Sequence, residues 1–276
     1  MYVTLEPCCH YGRQPPCTEA ILKAGIKRVV VGAHDPNPLV SGKGIQILRG
    51  RGLEVTEGVL ENEYIRLNEV FFHYIQTKRP FVVMKYAMTL DGKIAAYTGT
   101  SKWVTGEQAR NHVQEQRHRY TGIMVGVGTV LADDPLLTCR KAGCKNPIRI
   151  ICDTDLRTPL TAQVVTTAKQ APTILVTCSV DREKWTGYEE AGCRILPAER
   201  KNGRIDLERL MERLGQEGID SILLEGGGTL NWAALESGIV QKVQAYIAPK
   251  LFGGQTAKTP VEGAGVPSPG CAFQLK

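Results

Sequence analysis

No stretch of this 276-residue chain is apolar for long enough to span a membrane, and the N-terminus lacks the regions of a signal peptide. Internal repeats, low-complexity tracts and heptads are missing too, so no repeat or coiled-coil architecture applies. Lysine and arginine outnumber aspartate and glutamate, for a net charge of +6, but they are scattered. Without a basic patch or a recognisable module, a nucleic-acid surface is not expected. A small anion such as a phosphate ester suits the mild excess of positive charge. The nine cysteines are odd in number and irregular in spacing, which argues against a disulfide framework. A cytoplasmic globular protein of one or two domains is expected.

The most informative stretch is Leu223-Leu224-Glu225-Gly226-Gly227-Gly228-Thr229-Leu230-Asn231-Trp232-Ala233. Ser221 to Leu224 reads as a buried strand, and Thr229 to Leu235 as a helix. A strand turning through glycines into a helix N-terminus leaves backbone N–H groups where a phosphate can sit. Glycine permits close approach and supplies positive φ where the turn needs it. The spacing matches neither GxGxxG nor GxxxxGK[ST], so no standard dinucleotide or P-loop motif applies. Glu225 stands at the carboxyl end of the strand, where open α/β sheets bind ligands.

The chain opens on an alternating strand, Tyr2 to Leu5. Thr18 reads as an N-cap with Glu19 in the first turn of a helix ending at Ala24-Gly25. Ile26 to Gly32 is a second strand, Gly44 to Gly52 a helix, and Leu53 to Thr56 a short strand. This βαβ alternation predicts a parallel-leaning sheet. Glu61 to Ile75 has mostly helical spacing, and Gln76 to Pro80 is a polar linker ending in proline. Beyond it, Phe81 to Met88 is a strand, and Asp91-Gly92 is a turn signal whose pattern allows a hairpin. Lys85 inside an apolar strand wants an anionic partner, and Glu225 is the candidate. Further strands are predicted at Pro147 to Asp153, Thr173 to Thr177 and Lys242 to Ala248. Asp206 caps a helix with Leu207, Leu210, Met211 and Leu214 on one face, ending at Gly215.

Cys8 and Cys17 frame a turn rich in Pro and Gly that leads into a helix N-terminus, a setting that lowers a thiol pKa and favours a metal-binding thiolate. The run T-L-E-P-C-C-H-Y-G-R-Q-P-P-C resembles the zinc motif in the cytidine-deaminase-like half of the bifunctional riboflavin-biosynthesis deaminase–reductases. The resemblance implies Cys8 and Cys17 as zinc ligands and His10 as a residue lining the pyrimidine site. Zinc deaminases also need an upstream H-x-E, whose histidine is the third ligand and whose glutamate moves protons. Here His34 is followed by Asp35-Pro36, His73 by Tyr74-Ile75 and His112 by Val113-Gln114. Deaminase activity is therefore not expected of this chain, which reads as a piece of a longer protein cut at the N-terminus and, in the tail from Val261, at the C-terminus. The cysteines from Cys139 onward have no ligand spacing and read as incidental thiols.

A second group of motifs, V-M-K-Y-A-M-T-L-D-G-K-I-A, S-K-W-V-T, A-R-N-H-V-Q-E-Q-R, V-G-V-G-T-V-L-A-D-D-P-L-L-T-C-R and L-L-E-G-G-G-T-L-N, is similar to the reductase half of the same family. The implied architecture is α/β throughout. A remnant of a cytidine-deaminase-like α/β/α domain (1–78) precedes a dihydrofolate-reductase-like α/β domain (79–276). Position by position, the resemblance implies NADPH contacts at Ala87, Trp103, Thr129, Asp133 and Thr154. Gly227, Gly228, Thr229, Leu230, Asn231, Trp232 and Ala233 would cradle its phosphates. Substrate contacts are implied at Ser101, Arg117, Leu137, Arg140 and Glu225, with Lys85 beside the ribose. Guanidinium groups suit phosphate clamps, although taken singly each arginine is more often a surface salt-bridge partner. Lys85 and Glu225 are the candidate catalytic pair. The implied activity is NADPH-dependent reduction of the ribose of 5-amino-6-(5-phosphoribosylamino)uracil to ribityl, with zinc in the deaminase half of the family, and a homo-oligomer is expected. Three readings follow for the natural protein, in this order: a bifunctional enzyme with further sequence upstream, a reductase with a vestigial deaminase domain, and an inactive NADP(H)-binding protein.

Overall fold

The computed structural model describes residues 1–12 and 14–275. The chain divides into two units, Met1–Lys78 and Arg79–Lys276.

In the first unit, β1 (Tyr2–Leu5), β2 (Arg28–Ala33) and β3 (Glu54–Thr56) form a parallel sheet in that order. Helices α1 (Cys17–Lys23) and α2 (Lys43–Gly50) make the crossovers, and Ile21, Val29, Val31, Ile45 and Leu48 form the core. Thr18 is not the N-cap. The helix starts two residues earlier, with Pro16, whose ring holds φ at −57°, in the cap position, and Thr18 is buried in the first turn. The predicted helix from Glu61 to Ile75 is two helices, α3 (Glu61–Leu67) and α4 (Glu69–Thr77). Asn68 separates them: its side-chain amide donates to the Tyr64 carbonyl at 2.9 Å, in competition with the backbone ladder.

The second unit is built on a seven-stranded, wholly parallel sheet. Its strands are β4 (Phe81–Thr89), β5 (Gly122–Gly126), β6 (Ile148–Cys152), β7 (Thr173–Thr177), β8 (Arg194–Pro197), β11 (Ser221–Leu224) and β12 (Lys242–Ala248). They lie in the order β12-β4-β11-β5-β6-β7-β8. A small antiparallel ribbon, β9 (Arg200–Lys201) with β10 (Arg204–Ile205), stands apart from it. The helices are α5 (Glu107–Arg119), α6 (Val127–Asp133), α7 (Gln163–Thr166), α8 (Arg182–Glu190), α9 (Leu207–Gln216) and α10 (Gly228–Glu236). Alternate strand residues feed two cores. Met124, Ile150 and Leu224 pack with α9, whereas Ile123, Val125 and Ile151 pack with α7 and α8. Asp206 caps α9 as the sequence predicts, accepting from the N–H groups of Glu208 and Arg209.

No hairpin follows β4 among the described residues, because both its sheet neighbours, β11 and β12, run parallel to it. The Asp91-Gly92 turn instead serves a distant loop. The Asp91 carboxylate accepts from Thr89 Oγ1 and from the N–H groups of Gly253 and Phe252, which hold its pKa down to about 2.

In the first unit, Glu6 is the buried charge that shapes the loop before α2. Its carboxylate accepts from Gly42 N at 2.9 Å and from Asp35 N and Ile45 N at 3.3 Å. Gly44 is required beside it, since a Cβ there would lie 2.1 Å from the Pro7 carbonyl oxygen. A Glu6→Gln change replaces one of two acceptor oxygens with a donor. It should therefore speed amide exchange at Gly42 and Ile45 by about tenfold or more, read by hydrogen-exchange NMR. Unchanged exchange would remove Glu6 as the anchor.

Candidate active site

A cleft of about 580 Å³ opens in the second unit at the carboxyl ends of β5, β6 and β11. One wall is the start of α6, with Gly126, Gly128 and Thr129; another is Thr154 and Asp155 after β6; a third is Glu225 to Leu230. The first-turn amides of α10, at Gly228, Thr229 and Leu230, have no acceptor within their own helix. Together with the helix dipole they favour an anion.

The three glycines act here through space rather than through dihedral freedom, since none of them has positive φ. A Cβ on Gly227 would meet nothing within 4 Å, so this position faces open cleft. A Cβ on Gly228 would lie 2.4 Å from Glu262 Cγ and 2.7 Å from the Thr259 carbonyl oxygen. The close approach at Gly228 is thus made by the segment 258–263, which straps across α10. Glu262 N donates to the Gly228 carbonyl at 3.1 Å, and Asn231 Nδ2 donates to the Pro260 carbonyl at 2.8 Å.

Glu225 is the electrostatic centre. Arg117 Nε donates to its Oε1 at 2.8 Å and Arg117 Nη2 to its Oε2 at 3.0 Å, while Lys85 Nζ stands 3.5 Å from Oε2. Burial alone would push this carboxyl up; Arg117 and Lys85 outweigh burial and hold it at about 2. Burial likewise opposes charge on Arg117, and Glu225 reverses that, so the guanidinium is raised above its ordinary value. Arg117 Nη1 also donates to the Thr138 carbonyl at 3.1 Å.

Of the residues singled out in the sequence, Ser101, Thr129, Asp133, Thr154, Glu225, Gly227, Gly228, Thr229, Leu230 and Ala233 line this cleft. Ser101 Oγ lies 3.5 Å from Asp133 Oδ1. Ala87 lies on β4 beside Tyr246 of β12, outside the lining. Asn231, Trp232, Trp103, Leu137, Arg117 and Arg140 also lie outside this lining. Asn231 is fully buried, its amide spent on the strap. The Trp232 indole packs against Gly263 and the Phe273 ring. Trp103 is 57% exposed, with the Arg110 guanidinium 4.9 Å from its ring centroid. Leu137 is 3% exposed and packs in the core with Ile123 and Val125, which leaves only its backbone for a ligand. Arg117 faces Glu225 instead of standing free as a phosphate clamp, and Arg140 is exposed outside the lining. Lys258 and Glu262 of the strap and Arg157 and Arg204 line the cleft without having been anticipated. They lie in stretches with no motif spacing, and only the fold brings them in.

In the first unit, Cys17 N donates to Cys8 Sγ at 3.3 Å. The thiol–thiol hydrogen bond pushes Cys17 up, which corrects the expectation of a lowered thiol at a helix N-terminus. His10 belongs to this unit, with its Nδ1 buried and unpartnered. Among the described residues no three histidine, cysteine or acidic side chains converge as metal donors. The donors present do not fit a catalytic zinc site with three protein ligands.

Glu225 yields a pH prediction. Its folded pKa, about 2, lies below the ordinary 4.5, so its contribution to stability is full above pH 4.5 and is lost as pH falls through about 2. Glu225→Gln should lower unfolding free energy by about 3 kcal/mol at neutral pH, because it strands two buried cations. The gap to wild type should narrow as pH falls from 4.5 towards 2. Denaturant titrations across that range test it, and a constant gap would refute the pairing as its cause.

Residues 80–276 match the family described as RibD C-terminal domain. The riboflavin biosynthesis protein RibD of Actinobacillus pleuropneumoniae is 55% identical over 275 residues, covering 100% of this chain and 73% of that protein. The RibD of Aquifex aeolicus is 45% identical, covering 92% and 70%. Among solved structures, Acinetobacter baumannii RibD superposes with a TM-score of 0.85 at 36% identity, covering all of this chain and 75% of that one. The deaminase/5-amino-6-(5-phosphoribosylamino)uracil reductase of Thermotoga maritima gives 0.82 at 38% identity, covering 97% and 73%. The second unit has the dihydrofolate-reductase-like α/β fold, and the chain belongs to the RibD family of riboflavin biosynthesis proteins.

Proposed function

We infer that this chain is a reductase of riboflavin biosynthesis, acting on 5-amino-6-(5-phosphoribosylamino)uracil and converting its ribose to the ribityl chain. One observation carries the reading. Glu225, locked between Lys85 and Arg117, leads directly into the glycine turn that opens α10, so a charge centre and an anion cradle share one wall of the cleft.

NADPH is proposed as the cofactor, and when bound it supplies the hydride. The cleft fits it: the amides of Gly228, Thr229 and Leu230 take phosphate, Gly227 leaves room for close approach, and Thr129 and Thr154 offer hydroxyls from the other walls. Glu225 is ionised at neutral pH and accepts hydrogen bonds from sugar hydroxyls. Reduction of a ring-opened sugar also consumes one proton, and the Lys85 ammonium is the donor placed to supply it. The buried pair orients both reactants in a site of low dielectric, where positioning contributes most.

The first unit, 1–78, is proposed to be a partial cytidine-deaminase-like domain, with Cys8 and Cys17 as remnants of its zinc ligands and His10 as a pyrimidine contact. No step is assigned to it. Among the described residues no helix is long and apolar enough to cross a membrane, and a cytoplasmic location goes with the proposal. A homo-oligomer is proposed as well; β12, one of the two outer strands of the sheet, leaves Ile247 56% exposed.

The purified chain given NADPH and the phosphoribosylamino-uracil should oxidise the cofactor, followed by nicotinamide absorbance. No oxidation by folded protein would overturn the assignment. Lys85→Ala should lower kcat by about a hundredfold. Gly227→Ala adds a methyl to open cleft at an unstrained φ of −79°. It should weaken NADPH binding by about tenfold, measured by nicotinamide fluorescence, while leaving the melting temperature unchanged. Unaltered affinity would move the phosphates away from this turn.

A further inference from the structure

Beside the charge centre lies a group of side chains to which the proposed reaction gives no role. In β12, Gln244 is in register with Lys85 and Tyr246 with Ala87, so all four occupy one face of the sheet. The Lys85 ammonium sits 5.8 Å from the centroid of the Tyr246 ring, within cation–π range. Glu225 holds the same ammonium from another side at 3.5 Å.

The Tyr246 ring is itself held. Gln244 Nε2 donates to its hydroxyl oxygen at 2.9 Å. His112 Nδ1, on α5, lies 3.0 Å from the same oxygen, and Gln116 Nε2 lies 3.0 Å from His112 Nε2. With the Gln116 amide donating to Nε2, the imidazole proton is on Nδ1 and donates to Tyr246. The His112 ring also meets the Tyr246 ring edge-on, with centroids 5.9 Å apart. Burial, with help from the Glu225 carboxylate, pushes the phenol up to about 12, so the hydroxyl keeps its proton at neutral pH. Nothing in this arrangement is needed to hold the sheet, since β12 and β4 are joined by their own ladder over seven residue pairs.

We propose that Tyr246, with the His112 ring against its edge, is a positioning residue whose ring face holds the Lys85 ammonium against Glu225 and fixes where its N–H groups point. The inference rests on the reading of Lys85 as the proton donor. The carboxylate alone leaves a four-carbon lysine stem free to swing about one contact. A ring face on another side removes that freedom, and the His112 ring against its edge, a contact that does not need the hydroxyl, keeps the ring in place.

The test separates ring from hydroxyl. Tyr246→Leu keeps apolar volume and removes the π face. In the full chain, kcat should fall about tenfold while the dissociation constant of NADPH stays within about twofold, because the phosphate cradle is on other elements. Tyr246→Phe keeps the ring and should hold kcat within about threefold of wild type. Trace acetylation with acetic anhydride, read by mass spectrometry against the exposed Lys23, reports the ammonium directly. Lys85 should label about threefold faster or more in Tyr246→Leu and at the wild-type rate in Tyr246→Phe. If the leucine variant does not fold, Tyr246→Met takes its place with the same expectation. Wild-type kcat and labelling in the leucine variant would overturn the proposal, and so would a phenylalanine variant as impaired as the leucine one. If the wild-type chain turns over no substrate, the reading of the reaction fails, and the labelling comparison still decides whether Tyr246 holds Lys85.

Discussion

A carboxylate taken out of water is stable only with good partners, and much of the second unit is arranged to supply them to Glu225. The residue follows β11 directly, Lys85 comes from the adjacent β4, and Arg117 comes from the last turn of α5. Three elements distant in sequence must therefore be in register before the centre exists. The parallel pairing of β11 with β4, which sets Leu224 opposite Met84, brings Glu225 level with Lys85 in the middle of β4. Arg117 then ties α5 to the Thr138 carbonyl as well, so the same guanidinium fixes the loop after α6. That loop is braced from behind by Arg149, fully buried, whose guanidinium donates to the carbonyls of Leu136 and Ala171.

The cleft follows from the same register. In a parallel sheet all strands end on one side, and the segments that follow them converge there. Glycines follow β5 and β11, which lets two helix starts approach the opening between them. The strap from Lys258 to Gly263 closes the α10 side and places the Glu262 carboxylate 3.3 Å from the Thr229 hydroxyl. An anion of the protein's own thus sits beside the cradle proposed for phosphate, and any phosphate bound there shares the first turn of α10 with it.

Local signals made much of this legible in the sequence. The Asp206 cap, the apolar stripe of α9 and the strand before the glycine turn follow from side-chain chemistry and spacing, which depend on near neighbours; the pairing of Lys85 with Glu225 follows instead from the need of an ammonium in an apolar strand for an anion. What local pattern missed was decided by distant groups. Asp91-Gly92 reads as a hairpin turn, yet its carboxylate is taken by amides of Phe252 and Gly253, more than 150 residues away. Asn231 and Trp232 sit in the glycine motif and read as ligand contacts. The strap, whose Gly- and Pro-rich sequence has no periodicity, claims both side chains. The thiols of Cys8 and Cys17 do meet, but their mutual hydrogen bond reverses the effect anticipated from the helix start alone.

The two arginines expected to clamp the substrate phosphate can be told apart by counting donors. A guanidinium has five N–H bonds, and Arg117 spends Nε and one from Nη2 on Glu225 and one from Nη1 on Thr138. Those bonds hold its plane along the carboxylate, so it cannot turn a bidentate face to a phosphate without stranding Glu225. Its positive charge is also matched by the anion it touches, which leaves little field for a second one. Arg140 differs: it is exposed, and the Gln114 side chain holds its backbone N–H, at 2.8 Å, rather than its guanidinium. On the proposed reading, Arg140 therefore takes the phosphate. Arg117 acts one step back, through the carboxylate it keeps ionised.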